Sequence, residues 1–183
     1  MIYRLRNLII SLLLLIVLGS VFKHFPYGAG RGSAEITSES YEIEDFGILY
    51  TVSCVHDGDT ISVLMDGEEV KVRFIGVDTP ESVHIEETLN TPEGVIASSF
   101  TKELLDGEKV YLVYDMDKED DYGRKLAYVY MENKEMVNAL LLEKGYARCM
   151  SIEPNTQFEK EFSNIENSAK KNKAGFWATG FFE

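Results

Sequence analysis

Two alternating runs, Thr60–Met65 and Val70–Ile75, flank the dipeptide Asp66-Gly67. Asp-Gly accepts the positive φ angles of a type I′ turn, so this stretch is committed to a β-hairpin. The other elements arrange themselves around it. Ile48–Val55 is rich in β-branched and aromatic residues and reads as a preceding strand. Val110–Tyr114 and Leu126–Tyr130 alternate in the same way and are joined by the polar loop Asp115–Lys125.

Thr91-Pro92-Glu93 supplies a helix start, with a capping hydroxyl, a proline in the first turn and an early acid. Ile96, Phe100 and Leu104 then recur every four residues and predict the inward stripe, until Asp106-Gly107 ends the helix. Met136 to Lys144 predicts a short helix with Leu140 and Leu141 inward, closed by Gly145. Thr156-x-x-Glu159 has the form of a capping box, and Phe158, Phe162, Ile165 and Ala169 share one helical face after it. Three strands, a helix, two strands and two helices, in that order, predict an α+β fold rich in β-structure. It is a five-stranded Greek-key barrel of the OB type with three helices.

The first segment has a different character. Arg4 and Arg6 precede an uncharged apolar run from Leu8 to Phe22, too short to span a bilayer comfortably. Charge followed by a short greasy core matches a secretory signal, and an uncleaved N-terminal anchor is the competing reading. Residues 1–34 are therefore assigned to a signal peptide or membrane anchor with its tether, and residues 35–46 to an acidic linker. The folded domain is expected over 47–178, with 179–183 a C-terminal tail. Both readings of the leader place the body outside the cytoplasm, secreted or anchored. The protein touches a membrane only through this segment, if it is retained.

The chain has 18 Lys and Arg against 31 Asp and Glu, a net charge of −13. Four of the bases and none of the acids lie in the first 34 residues, so the body carries −17. Such a body repels polyanions at long range, which excludes a passive basic-patch coat for DNA. It leaves open an enzyme that meets phosphate through a few local cations and a metal. Two cysteines, Cys54 and Cys149, fit either one bridge or two free thiols.

Two acidic tips carry the candidate chemistry. His56-Asp57-Gly58-Asp59-Thr60 sets two carboxylates around a glycine where the hairpin begins, and Val77-Asp78-Thr79-Pro80-Glu81 follows its second strand. If the tips meet, Asp59 and Asp78 form a hard-oxygen cluster suited to Ca²⁺; taken singly, each reads first as an ordinary acidic turn. Arginine usage adds weight. The body has eleven lysines but only three arginines: Arg73 in mid-strand, Arg124 after Asp120-Asp121-Tyr122-Gly123, and Arg148. A guanidinium grips phosphate through two parallel donors, a geometry that lysine lacks. Arg73 could equally pair with a neighbouring acid for structure alone.

These motifs together resemble the thermonuclease, or staphylococcal nuclease-like, family. The resemblance rests on Asp57-Gly58-Asp59-Thr60, on Arg73-Phe74-Ile75-Gly76-Val77-Asp78-Thr79-Pro80-Glu81, and on Asp121-Tyr122-Gly123-Arg124 with Leu126-Ala127-Tyr128-Val129-Tyr130. It continues through Val137-Asn138, Gly145-Tyr146-Ala147, Ala169-Lys170-Lys171 and Gly175-Phe176-Trp177, covering roughly Tyr50 to Trp177.

The resemblance implies an OB barrel and a Ca²⁺-dependent endonuclease acting on DNA and RNA, with single strands favoured, 3′-phosphate products and a monomeric state. Residue by residue, it implies that Asp59 and Asp78 ligate Ca²⁺ by carboxylate and Thr79 by its main-chain oxygen, with Asp57 behind them. Glu81 would orient or deprotonate the attacking water, and Arg73 and Arg124 would hold the scissile phosphate. Tyr122 is a candidate ring for stacking on the nucleotide.

Met150, Ser151 and Ile152 stand where the family often offers stacking tyrosines. With few phosphates contacted, substrate binding is expected to be weak without Ca²⁺ and to fall only shallowly with salt. His56 and His84 are expected to be structural or superficial, and Trp177 to plug the core. The rival reading is a non-catalytic OB-type module, binding nucleic acid or protein, derived from such an enzyme.

Overall fold

A computed structural model describes residues 46–82 and 90–183. The leader assigned to 1–34, the linker up to residue 45 and His84 lie outside the described residues. Asp66 and Gly67 have φ of 52° and 86°, as the type I′ turn requires. They join β2 (Thr60–Met65) to β3 (Glu68–Phe74), and β1 (Leu49–Asp57) pairs antiparallel with β2. Register shifts in β1 between Val52 and Cys54 and between Val55 and Asp57 mark bulges, which bend a strand round a barrel.

β4 (Gly76–Asp78) follows, then α1 (Pro92–Leu105), β5 (Lys109–Val113) and β6 (Lys125–Met131). β5 returns to β1, and β6 lies between β3, to which it is parallel, and β5. The five strands close in the order β1-β2-β3-β6-β5, the barrel expected from the strand and helix order. Val52, Ile61, Val63, Val72, Phe74, Val110, Ala127 and Val129 fill it, all buried. Each such side chain contributes about 1.5–3 kcal/mol relative to an exposed position.

Helices α2 (Val137–Glu143) and α3 (Glu159–Asn172) complete the three, and β7 (Arg148–Met150) pairs with β4 in a small separate sheet. Asn138, fully buried on α2, accepts from the Val129 N–H and donates to the Ile75 carbonyl. It therefore fixes the break between β3 and β4 against the barrel. Phe158, Phe162, Ile165 and Ala169 are buried along α3 as expected. On α2 the fully buried leucines are Leu141 and Leu142, with Leu140 only partly covered.

One local expectation fails and another holds only in part. The capping box does not form, because α3 begins at Glu159 rather than at Thr156. Asp115 reaches across to accept from the Gln157 N–H, and the Thr156 main-chain oxygen accepts from Glu159, so the entry turn is closed without the threonine hydroxyl. On α1 the fully buried residues are Gly94, Ala97, Thr101 and Leu105; Phe100 and Leu104 pack half-buried against the core as expected, while Ile96 is exposed. Where the helix meets the Glu81 and Gly58 backbone, small residues take the inner face.

Both ends of the domain are packed. Phe46 is buried against Tyr111 and Tyr130, with ring centroids 4.9 Å from each. Phe181 and Phe182 fold back on Phe176. Trp177 is buried, with the Lys170 ammonium 4.6 Å from its ring centroid. Cys54 and Cys149 are free thiols, and burial, with Glu166 adding to it, pushes the Cys149 thiol up to about 12.

Candidate active site

The two acidic tips meet. Asp59, in the β1–β2 turn, accepts from the Thr79 N–H at 2.8 Å and the Thr79 hydroxyl at 3.0 Å through one oxygen. Its other oxygen accepts from Thr60 at 3.1 Å. Gly58 permits this approach, since a side chain there would overlap the Thr79 hydroxyl. Asp59 is buried, which pushes its carboxyl up; the Arg73 charge and the two Thr79 donors oppose that push.

Arg73 stands opposite Thr60 in the β2–β3 register, beside that turn. Its Nη1 donates to the carbonyls of Phe74 and Val77 and lies 3.1 Å from Asp59. Its Nη2 lies 3.4 Å from Asp78. One guanidinium thus holds both carboxylates and braces the β3–β4 bend. The structural pairing weighed for Arg73 is realised, and it is realised at the site.

Asp57 faces the other way. It accepts from the Ser82 hydroxyl and from the Gly58 N–H, each at 2.8 Å. Glu81, one residue earlier, accepts through its main-chain oxygen from the Thr91 N–H at 3.0 Å. The Glu81–Ser82 segment is therefore tied to the first tip and to the start of α1. Gly94 lies under it, where any Cβ would overlap the Glu81 carbonyl. From the same face of α1, Thr101 donates to the Gly58 carbonyl.

Arg124 closes the β5–β6 loop. Asp120 accepts from the Tyr122 and Arg124 main-chain N–H groups with one oxygen and from Arg124 Nε with the other, at 2.7 Å. Burial alone would raise Asp120, but the Arg124 N–H, its guanidinium and the Tyr122 N–H outweigh it and hold the carboxyl below its ordinary value. The terminal nitrogens of Arg124 have no partner among the described residues. Its guanidinium lies 5.6 Å from the centroid of the Tyr122 ring, which is 85% exposed. In the parallel register Arg73 faces Leu126, so Arg124 enters two residues upstream of Arg73's partner.

Arg148 was noted in the sequence only as the third arginine. Its Nη2 lies 3.3 Å from the second oxygen of Asp78. Ser82, Gly94, Thr101 and Asp120 were missed as well. A glycine inside a helical pattern was the available sign of close backbone approach at Gly94, and an acid four residues before Arg124 the sign at Asp120. His56 stays apart: its ring bonds Ser62 at 2.7 Å across β1 and β2, and burial lowers its pKa.

Two carboxylates converging on one cationic group, with no thiolate or imidazole beside them among the described residues, form a hard-oxygen donor set. Among the described residues no group of three His, Cys, Asp or Glu side chains gathers to hold a metal. The arrangement fits a hard divalent cation that keeps much of its water shell and competes with Arg73 for the same oxygens.

A closed OB-type barrel carries paired carboxylates, a bracing arginine and a second arginine in the loop that leads into β6. The family model described as staphylococcal nuclease homologue matches residues 71–179. The thermonuclease of Staphylococcus hyicus is 43% identical over 129 residues, covering 70% of this chain and 75% of that protein. The thermonuclease of Staphylococcus intermedius is 37% identical over 164 residues, covering 90% and 94%. The endonuclease YncB of Bacillus subtilis is 41% identical over 124 residues, covering 67% of this chain and 58% of YncB. The chain belongs to the staphylococcal nuclease family.

Proposed function

We propose that the protein is a Ca²⁺-dependent endonuclease that hydrolyses phosphodiester bonds of DNA and RNA outside the cytoplasm and leaves 3′-phosphate ends. The observation that carries this reading is the sharing of Arg73 between Asp59 and Asp78, with Arg124 two residues before Leu126, the register partner of Arg73. Family membership supports nuclease chemistry. The charge and apolar pattern of residues 1–34 supports export or anchoring.

Asp59, Asp78 and the Thr79 main-chain oxygen would hold the cation, whose charge polarises the phosphate when bound. Arg124 offers its two terminal nitrogens, unpartnered among the described residues, to the non-bridging oxygens. Arg73, whose guanidinium spans Asp59 and Asp78, would supply the second fork to the same phosphate. Together they neutralise the charge that grows on phosphorus as hydroxide enters, typically the larger share of such catalysis. Glu81, whose main-chain oxygen is held by the Thr91 N–H, would accept a proton from the attacking water or orient it. A merely binding module has no use for acids that face a phosphate, so the paired carboxylates favour the enzyme. The protein is taken to act as a monomer on single strands.

Full-length protein incubated with denatured DNA and with RNA, in millimolar Ca²⁺ and then in chelator, tests this. Cleavage in Ca²⁺ that stops with chelator is expected. Intact nucleic acid in Ca²⁺ would overturn the proposal.

A further inference from the structure

Arg148 sits opposite Asp78 in the β4–β7 register and contacts the oxygen that Arg73 leaves free. Asp78 is therefore bracketed by two guanidinium groups, one of them shared with Asp59. Arg148 balances the charge of the pair and still keeps donors to spare. Its side chain is 53% exposed, against 12% for Arg73 and 33% for Arg124. Only Nη2 is engaged, and Nε and Nη1 have no partner among the described residues.

The group is nevertheless held. The Phe182 ring lies 5.5 Å from the Arg148 guanidinium carbon. Phe182 is itself packed on Trp177 at 4.9 Å and Phe181 at 5.4 Å between ring centroids. A planar cation backed by a ring gives up part of its freedom before it meets a ligand, so less is lost on binding. The last residues of the chain thus orient an arginine at the lip of the site. In a body carrying −17, an exposed cation in that place is where a polyanion can be met.

We infer that Arg148, backed by Phe182, is a second phosphate-binding site on the nucleic acid, engaging a backbone phosphate next to the one held by Arg73 and Arg124. This rests on the nuclease reading and extends it. The occupant is a phosphodiester of a continuous strand, so a chain of several nucleotides gains from the contact and a mononucleotide does not.

The test is fluorescence anisotropy of a labelled single-stranded oligonucleotide with the full chain carrying Glu81→Gln to block turnover. It is run in millimolar Ca²⁺ over a series of KCl concentrations. Arg148→Ala in that background is expected to weaken binding about tenfold at low salt. It should also flatten the slope of log affinity against log salt by about 0.7, the value of one lost phosphate contact on a single strand. Arg148→Lys should restore the slope but only part of the affinity, because lysine supplies the charge without the fork. Phe182→Leu should weaken binding less and leave the slope alone.

A merely structural role for Arg148 would not move the salt slope. Parental affinity and slope in Arg148→Ala would overturn the inference, as would a loss that Arg148→Lys does not relieve. If Arg148→Ala does not fold, Arg148→Gln carries the same expectation. Failure of the parent chain to cleave any nucleic acid in Ca²⁺ would defeat the nuclease reading. A cleaving parent with unchanged Arg148 variants would defeat this inference alone.

Discussion

The hydroxyl of Thr101, buried on α1, donates to the main-chain oxygen of Gly58 at 2.6 Å, across 43 residues of sequence. Gly58 separates Asp57 from Asp59, so a helix outside the barrel fixes the turn that presents both acids. Thr101→Val keeps the shape and removes the donor, leaving a buried carbonyl unsatisfied at a cost of about 1–3 kcal/mol. Urea unfolding should show that loss. The cleavage rate under conditions where the variant is fully folded should fall as well, because the turn is no longer held.

Gly94→Ala reverses the usual sign of a helix substitution. Alanine inside a helix ordinarily gains about 1 kcal/mol over glycine. Here the methyl group would overlap the Glu81 carbonyl, and backbone must move to admit it. A net destabilisation of about 1–3 kcal/mol is expected, with a drop in cleavage rate larger than stability alone explains. Ile96→Ala, on the exposed side of the same helix, should change neither by much.

Arg73→Ala leaves the buried Asp59 carboxylate without its countercharge, a change that costs about 3–5 kcal/mol in comparable pairs. Ca²⁺ should restore part of this, since an ion that binds only the folded state stabilises it. Thermal unfolding in Ca²⁺ and in chelator reads the difference. The rise in Tm on adding Ca²⁺ should be greater in Arg73→Ala than in the parent, because no guanidinium competes for the same oxygens.

Asp120 gives a dependence on acid. Its carboxyl lies below the ordinary 3.8 in the folded protein, so the stabilisation is present above that pH and is lost as pH falls through the folded value. Asp120→Asn should therefore cost about 1 kcal/mol at neutral pH, with a gap from the parent that closes under acid. Unfolding free energies of both proteins measured from pH 7 to pH 3 check the trend. A gap that widens on acidification would contradict it.

The barrel was legible because β-branched alternation and the Asp66-Gly67 turn each point to one local structure. The three-residue strands β4 and β7 were not, since so short a run carries no periodicity. Of the stripe Ile96-Phe100-Leu104, Phe100 and Leu104 do pack on the core, and only Ile96 misses the inner face of α1, for a physical reason. Close packing on the Glu81 and Gly58 backbone selects Gly94, Ala97 and Thr101, and hydrophobicity alone is blind to that distance.

At the site, Asp59, Asp78 and Arg73 could be named from the chain, but their sharing of one guanidinium could not. That contact joins residues on different strands and depends on the bend after Phe74. Arg148 was visible only as an uncommon residue type in a lysine-rich body. Its meaning needed the β4–β7 register and the folded-back Phe182.

The reading as a whole turns on whether the Arg124 fork acts on a reacting phosphate beside the paired aspartates. Single-turnover cleavage of a labelled oligonucleotide in saturating Ca²⁺, parent against Arg124→Lys, measures this most directly. Lysine keeps the charge and loses the two parallel donors, so the rate should fall about a hundredfold or more while the variant stays folded. Equal rates for the two proteins would contradict the account.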